Sequence, residues 1–147
     1  MNINWKPNYI PGDLVYNHKG EVIRITSSYL KGTRLFYYKT DEIGESTGCI
    51  LEEALKPIPL TPEILEKNGW KKEVMSRGVK NSHCVYTKPD IEEYGYFPIY
   101  IEKGIWKEFD VYPFTDNHVC KQIAFIKYIH ELQHILFGLG LKSEMEV

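Results

Sequence analysis

Residues 11–26 read PGDLVYNHKGEVIRIT, in which turn-forming residues alternate with short apolar runs. Pro11, Gly12 and Asp13 are turn-forming residues, and the apolar run LVY follows them directly. The segment NHKG forms a second turn and leads into EVIRIT, whose β-branched residues favour a strand. The stretch therefore predicts two antiparallel strands joined by a short turn.

Strand patterns continue after this hairpin. A turn at Lys31-Gly32 precedes RLFYY at residues 34–38, and CIL at residues 49–51 forms a further short strand. Short strands joined by tight turns are typical of small antiparallel barrels. We therefore expect residues 1–58 to form a small β-barrel.

The turns and strands of this region also have a recognisable spacing. The pattern GDxV at residues 12–15, followed after a turn by GxVxxI at residues 20–25, resembles the opening hairpin of SH3-like barrels of the Tudor and KOW type. The resemblance implies an SH3-like β-barrel over residues 1–58.

A short helix is predicted where this barrel ends. Residues 57–70 read PIPLTPEILEKNGW. Thr61 suits the N-cap, Pro62 suits the first helical position, and Gly69 suits the left-handed conformation that ends a helix. These three signals agree, so the segment predicts a helix with both ends defined.

Strand patterns and a longer helix follow. Apolar residues alternate with polar or mixed ones in three segments, at 84–86, 97–101 and 106–112. Asn117 suits the N-cap of a long helix over about 119–137, where apolar residues recur at helical spacing. The last helix would cover the sheet that the three strands form.

The predicted fold class is therefore α+β, with two modules. Residues 1–58 form the SH3-like β-barrel. Residues 59–147 form an α-β-β-β-α module, made of the short helix, an antiparallel sheet and the long C-terminal helix. The chain has 147 residues, 43% of them hydrophobic, which is enough for one compact core or two small ones.

Composition restricts the partners and the compartment. The formal net charge is -2, so the chain has no overall basic excess that would attract nucleic acid or an anionic membrane. No stretch has the length and apolar character of a membrane span, and the first residues lack a secretory pattern. Cys49, Cys84 and Cys120 are odd in number and lack a C-x-x-C spacing, which favours reduced thiols. We therefore expect a cytoplasmic protein without a membrane partner.

One motif could carry catalytic chemistry, since residues 130–134 read HELQH. H-E-x-x-H on a helix is the pattern of zinc metallopeptidases. Histidines four residues apart share a helical face and can bind Zn²⁺ together, and the glutamate between them can deprotonate a zinc-bound water. In this hypothesis His130 and His134 are metal ligands and Glu131 is the general base.

Two features of the sequence weigh against zinc catalysis. The position where metzincins place a third histidine is Gly140. Lys127 precedes His130 by three residues, so its ammonium group would lie on the same side of the helix and oppose a dication. We favour a solvated helix face for these residues, with no catalytic residue and no cofactor. Zinc, bound for catalysis or for structure, is the alternative.

Two blocks of sequence resemble a known family. PLTPEILEKNGW at residues 59–70 and IKYIHELQ at residues 126–133 are similar to blocks in short phage and prophage proteins of gut anaerobes. Members of that family also carry a G-D-x-V segment before the first block, and they often read H-x-L-Q-N where this chain ends the pattern with His134. The resemblance implies a phage-type accessory protein and assigns no catalytic residue.

The chain is rich in aromatic residues, with 11 tyrosines, 6 phenylalanines and 3 tryptophans. Aromatic side chains either fill the core or, when exposed, stack on bases, peptides or another subunit. For the exposed case, the candidate binding residues are Lys31, Arg34, Tyr37, Tyr94 and Tyr96.

Three functional hypotheses follow. The favoured one is a non-enzymatic binding or interaction protein whose aromatic surfaces contact a protein, a small ligand or a second copy in a homo-oligomer; a host-directed or anti-defence role fits the phage resemblance. The first alternative is a nucleic-acid-binding accessory protein, with phosphate contacts from Lys19, Arg24, Lys31 and Arg34. The second alternative is the zinc metallopeptidase.

Overall fold

The computed structural model describes residues 8–31, 33–40, 47–76, 82–88, 99–104, 108–113 and 124–147. The chain divides into two compact units. The first comprises Met1–Pro59 and Tyr128–Met145, and the second comprises Leu60–Lys127 and Glu146–Val147. In the described residues each unit contains an antiparallel sheet and one α-helix, so the chain has a small α+β fold.

One of the two described sheets is curled into half of a barrel. The first unit contains a five-stranded antiparallel sheet. Its described strands are β1 (Leu14–Tyr16), β2 (Val22–Lys31), β3 (Thr33–Thr40), β4 (Thr47–Leu51) and β5 (Lys56–Pro57). They are antiparallel and lie in the order β4-β3-β2-β1-β5. A 3-10 helix, Glu52–Ala54, connects β4 to β5. The strands that the sequence predicted before residue 58 are therefore present.

The inner side of this sheet carries the core of the first unit. Successive residues of a strand point to opposite faces, and in β2, β3 and β4 one face carries buried apolar side chains. Fully burying one large apolar side chain stabilises the folded chain by about 1.5–3 kcal/mol. The buried residues that pack together are Tyr9, Val15, Ile23, Ile25, Phe36, Ile50 and Leu55.

A bulge in β2 changes which of its residues face outward. The pairing register between β2 and β3 shifts between Ile25 and Ser27. Such a shift reverses the alternation of inward and outward side chains along the strand. Without it, Tyr29 would share the inner face with Ile25. The bulge instead places Tyr29 opposite Leu35 on the outer face.

The second unit begins with the helix predicted at the junction, α1 (Pro62–Lys67). The hydroxyl oxygen of Thr61 accepts a hydrogen bond from the Ile64 N–H at 3.3 Å. Gly69 has a φ of 84°, in the left-handed region that ends helices. The N-cap, the first-turn proline and the terminal glycine are those that the sequence predicted, and the helix is confirmed.

The sheet of the second unit is also antiparallel. Its described strands are β6 (Lys71–Ser76), β7 (Ser82–Thr87), β8 (Ile99–Lys103), β9 (Phe109–Pro113) and β10 (Ala124–Ile126), in the order β10-β9-β8-β7-β6. The strands β7, β8 and β9 correspond to the three predicted ones, whereas β6 and β10 were not predicted. Predicted strand residues 97–98 and 106–107 lie outside the described residues.

The C-terminal helix, α2 (Ile129–Gly138), is shorter than predicted. The sequence predicted a helix over about 119–137, but Ala124–Ile126 form β10. Phe125 is exposed and Ile126 is buried, which is the alternation of a strand. Asn117, the predicted N-cap, lies outside the described residues. In the described parts of the chain, no helix is long and apolar enough to cross a membrane.

The start of α2 explains its length. Tyr128 precedes the helix, and its N–H donates a hydrogen bond to the Glu131 carboxylate at 3.0 Å. A carboxylate in the first turn satisfies an N–H that lacks a partner within the helix. Lys127 therefore lies before the helix, with its Nζ 2.8 Å from Glu108 Oε1. The prediction that Lys127 lies on the helix beside His130 was wrong.

The helix α2 belongs to the first unit, together with the strands of residues 14–57. The sequence had placed it in the module of residues 59–147. It packs against β1. The division of the chain into separate domains at residue 58 stays a prediction.

Candidate binding surface

The outer face of the sheet in the first unit carries two rows of mostly apolar side chains. One row crosses three strands, with Tyr29 on β2, Leu35 on β3 and Leu51 on β4. In the neighbouring row, Tyr37 on β3 lies opposite Cys49 on β4. Directly opposed residues of antiparallel strands share a face and contact each other. We call these five residues the outer patch.

The outer patch is accessible within the described structure. Tyr29 is 53% exposed, Tyr37 is 46% exposed and Leu51 is 44% exposed. Cys49 is exposed as well, and Leu35 at the centre is half-buried. Single exposed apolar residues are normal on a protein surface, but a contiguous group of them marks an interaction site.

Polar residues border the outer patch. Beyond Tyr37 on β3, the next outward residue is Lys39, which lies opposite Thr47 on β4. Both side chains are exposed. An apolar centre with a polar rim is the usual arrangement of a protein interface.

The structure describes two of the five predicted binding residues in full. Tyr37 lies in the outer patch. Tyr94, Tyr96 and the side chain of Lys31 lie outside the described residues. Arg34 lies on β3 but belongs to the opposite face of the sheet, because it is one residue removed from the outward Leu35.

Arg34 makes several contacts within the first unit. Its guanidinium carbon lies 6.0 Å from the centre of the Phe36 ring. Its Nη1 donates a hydrogen bond to Asn8 Oδ1 at 3.0 Å and lies 3.9 Å from Glu52 Oε1. Such contacts compensate the charge within the unit.

Arg24, another residue predicted to contact phosphate, is also engaged. Its Nη1 donates to the carbonyl oxygen of Gly12 and its Nη2 donates to that of Met145, each at 3.2 Å. Arg24 and Arg34, two of the four residues predicted to contact phosphate, therefore donate hydrogen bonds within the first unit.

The HELQH segment lies in α2 and contacts the turn before β1. The Nε2 of His134 lies 3.0 Å from Asp13 Oδ1 and 2.8 Å from Asp13 Oδ2. The Asp13 carboxylate also accepts a hydrogen bond from the Ile10 N–H at 2.8 Å. Burial raises the pKa of Asp13, and the hydrogen bonds from Ile10 and His134 oppose that shift.

His130 is buried, with 2% of its surface exposed. Its ring packs edge-on against Tyr9, with 5.1 Å between centroids, and stacks on Tyr128 at 5.9 Å. Burial, assisted by the charge of the nearby His134, lowers the pKa of His130 to about 4. The interpretation of His130 as part of a solvated helix face was therefore wrong.

Tyr9 and His130, whose rings are in contact, each have a buried polar atom that lacks a hydrogen-bond partner among the described residues. These atoms are the hydroxyl of Tyr9 and the Nδ1 of His130. Burial, followed by the charge of Asp13, raises the pKa of Tyr9 to about 12. The surroundings of both rings therefore favour their neutral forms.

The Gln133 side chain bonds to three backbone groups in two segments of the first unit, residues 12–14 and residue 143. Its Nε2 donates to the carbonyl oxygens of Gly12 at 3.0 Å and Ser143 at 3.1 Å. Its Oε1 accepts from the Leu14 N–H at 3.0 Å. Gln133 is buried, so these three bonds satisfy the polar atoms of its side-chain amide. No sequence pattern singles out this residue.

All three residues of the zinc hypothesis make contacts that stabilise the first unit. Glu131 accepts from Tyr128 at the start of α2, His130 packs on Tyr9, and His134 binds Asp13. Across the described ranges, no group of three or more His, Cys, Asp or Glu side chains is placed to hold a metal ion. Zinc catalysis stays an untested alternative.

The sequence reasoning missed four residues of the outer patch: Tyr29, Leu35, Cys49 and Leu51. Tyr29 was hidden by the bulge, because strict alternation from Ile25 places it inside. For Cys49 and Leu51 a signal existed, since they flank the buried Ile50 in a short strand. Alternation predicts that both neighbours of an inward residue face outward.

Comparisons of the chain with protein-family models, with curated proteins and with solved structures found no match. The resemblance of two sequence blocks to phage and prophage proteins therefore stays a prediction. The outer patch and the contacts of α2 are the observations from which the function is inferred.

Proposed function

We propose that this chain is a non-enzymatic binding protein that contacts another protein through the outer patch. The supporting observation is the pair of adjacent exposed rows, Tyr29-Leu35-Leu51 and Tyr37-Cys49, on three neighbouring strands. Tyrosine offers a large contact area with little loss of side-chain entropy, and it is enriched among the residues that dominate interfaces.

The position of the outer patch favours a protein over a small ligand. The core of the first unit lies on the inner side of its sheet, so the outer patch lies on the face turned away from the core. Small-molecule sites are concave and enclose most of the ligand. An exposed sheet face turned away from the core instead suits the surface of another protein.

The contacts of the HELQH segment support a role without catalysis. His134 and Gln133 hold α2 to the turn before β1, and Glu131 satisfies the start of the helix. These side chains stabilise the unit that carries the outer patch. The proposed binding needs neither a catalytic residue nor a cofactor.

The proposal extends to the fold family and the biological setting. The first unit is an SH3-like β-barrel of the Tudor and KOW type, supported by its five-stranded antiparallel sheet and by the GDxV segment that enters β1. The resemblance of residues 59–70 and 126–133 to phage and prophage blocks supports an accessory protein that acts in the cytoplasm, in a host-directed or anti-defence role.

Affinity capture with three forms of the chain tests the proposal. The wild type is compared with Tyr29→Ser/Tyr37→Ser and with Val74→Ser. Val74 lies on β6 in the second unit and is 69% exposed, so its replacement removes apolar surface elsewhere. We expect a partner that binds the wild type and Val74→Ser equally and binds the tyrosine variant about tenfold more weakly.

Protection of thiols by the purified partner then locates the contact. Cys49 in the outer patch and Cys84 on β7 are both exposed in the free chain. We expect the partner to slow the alkylation of Cys49 by iodoacetamide and to leave Cys84 unchanged. Equal alkylation of Cys49 with and without partner, together with binding that survives both tyrosine substitutions, would refute the proposal.

A further inference from the structure

The edges of the two sheets differ in their protection against further pairing. A free edge strand presents unpaired N–H and C=O groups, and proteins protect such edges with short strands, charges or proline. Within the described structure, β5 is two residues long and contains Pro57. The strand β6 begins with the charged run Lys71–Glu73, and β10 is three residues long. Each of these edges is protected.

The remaining edge, β4, lacks all of these protections. Its five residues read TGCIL, without a charge or a proline. Its pairing with β3 runs without a shift from Leu35 opposite Leu51 to Lys39 opposite Thr47. Among the described residues, no strand pairs with its other side. Of the described edges, β4 is thus the one suited to accept another strand.

We infer that β4 pairs with β4 of a second copy of this chain, antiparallel, with the two Cys49 residues opposite each other at the two-fold axis. In this register Thr47 lies opposite Leu51 of the second copy, and Gly48 lies opposite Ile50. Each of these pairs joins a smaller residue to a larger one, and none brings charges together. The strand is complementary to itself, as a two-fold interface requires.

This pairing joins the outer patches of the two copies. Cys49 and Leu51 face outward on the edge strand, so the apolar rows of one copy continue into those of the other. The dimer would offer a protein partner twice the apolar surface. The pairing itself depends on backbone groups of β4, so it stands independently of the proposed function, which depends on the side chains of Tyr29 and Tyr37.

Two charge variants test the register by analytical ultracentrifugation of the reduced full chain. Thr47→Lys/Leu51→Lys places lysine opposite lysine at both ends of the paired strands, and we expect the dimer dissociation constant to rise about tenfold. Thr47→Glu/Leu51→Lys places glutamate opposite lysine, and we expect a value close to that of the wild type. Val74→Lys on β6 is the matched control and leaves the constant unchanged.

Oxidation supplies a second readout. With diamide added as the two-electron oxidant of the two Cys49 thiols, we expect the wild type to form a disulfide-linked dimer that Cys49→Ser abolishes and that Cys84→Ser and Cys120→Ser retain. A wild type that sediments as a monomer overturns the inference, as does a dimer that the two charge variants weaken equally. The proposed function fails on different evidence, namely partner binding that is insensitive to the tyrosine substitutions.

Discussion

The Nε2 of His134 lies 2.8 Å from Asp13 Oδ2, so the contact joins residues 121 positions apart in the sequence. The Asp13 side chain is 2% exposed, and that of His134 is 31% exposed. A buried carboxylate needs hydrogen-bond donors, and His134 on α2 supplies one. The second histidine of HELQH therefore helps to hold α2 against the turn before β1.

We expect Asp13 and His134 to be energetically coupled. Removing the imidazole takes a hydrogen-bond donor from a buried carboxylate, whereas removing it from a chain that already carries Asp13→Asn costs less. A double-mutant cycle of His134→Ala and Asp13→Asn is expected to give a coupling free energy of about 1 kcal/mol, a modest value because His134 is partly exposed. Urea denaturation of the four proteins at neutral pH measures it, and a coupling near zero would show that the contact contributes nothing.

We expect His130 to make the first unit less stable in acid. The pKa of His130 is 6.5 ordinarily and about 4 in the folded chain. Between these pH values the unfolded chain binds more protons, so the free energy of unfolding falls as the pH is lowered through this window. Burial raises the pKa of Asp13, so protonation of its carboxyl group increases the free energy of unfolding as the pH falls. Asp13 therefore opposes the effect of His130.

Comparison with His130→Phe isolates the contribution of His130. The replacement keeps an aromatic ring beside Tyr9 and removes the titrating group. Between neutral pH and about pH 4.5, we expect the wild type to lose about 2 kcal/mol more than the variant in denaturation experiments. Parallel pH profiles for the two proteins would contradict the assignment of acid sensitivity to this residue.

We expect the three hydrogen bonds of the Gln133 side chain to stabilise the folded chain. Gln133→Leu keeps a similar volume but leaves the Leu14 N–H and the carbonyl oxygen of Ser143 without their bonds to the side chain. The expected loss in the free energy of unfolding is about 2–3 kcal/mol. Lys142→Leu, at an exposed position next to Ser143, serves as the control and changes stability little. Equal effects of the two replacements would argue against this role.

Local signals account for the parts of the fold that the sequence predicted. Thr61 and Gly69 define both ends of α1 through caps within a few residues of the helix. The β-branched residues around Ile23 and Ile25 predicted β2, and both side chains fill the inner side of the sheet. Such elements need no knowledge of distant residues.

The missed features depend on contacts or irregularities that a local pattern does not contain. Apolar residues at 125, 129 and 132 fit one helix by spacing, yet Phe125 is on a strand and the helix begins after Tyr128. The bulge between Ile25 and Ser27 moves Tyr29 to the outer patch without any glycine or proline to mark it. The partner of His134 is Asp13, which no spacing rule connects to HELQH.

We expect removal of the Tyr9 hydroxyl to stabilise the protein. This hydroxyl is buried and lacks a hydrogen-bond partner among the described residues, and a buried polar group without a partner costs about 1–3 kcal/mol. Tyr9→Phe keeps the ring contacts with Phe36 and His130. The expected gain in the free energy of unfolding is about 1 kcal/mol near neutral pH.

The same variant has a signature at high pH and a matched control. The pKa of Tyr9 is about 12 in the folded chain against an ordinary 10.0, so the wild type loses more stability than Tyr9→Phe as the pH rises from 10.0 towards 12. The pKa values of Tyr86 and Tyr112 are also raised by burial, and their contribution is common to both proteins. Tyr37→Phe removes an exposed hydroxyl and is expected to leave stability unchanged. A loss of stability in Tyr9→Phe near neutral pH would show that the hydroxyl is hydrogen-bonded, and the neutral form of the ring would then be stabilised by that bond rather than by burial alone.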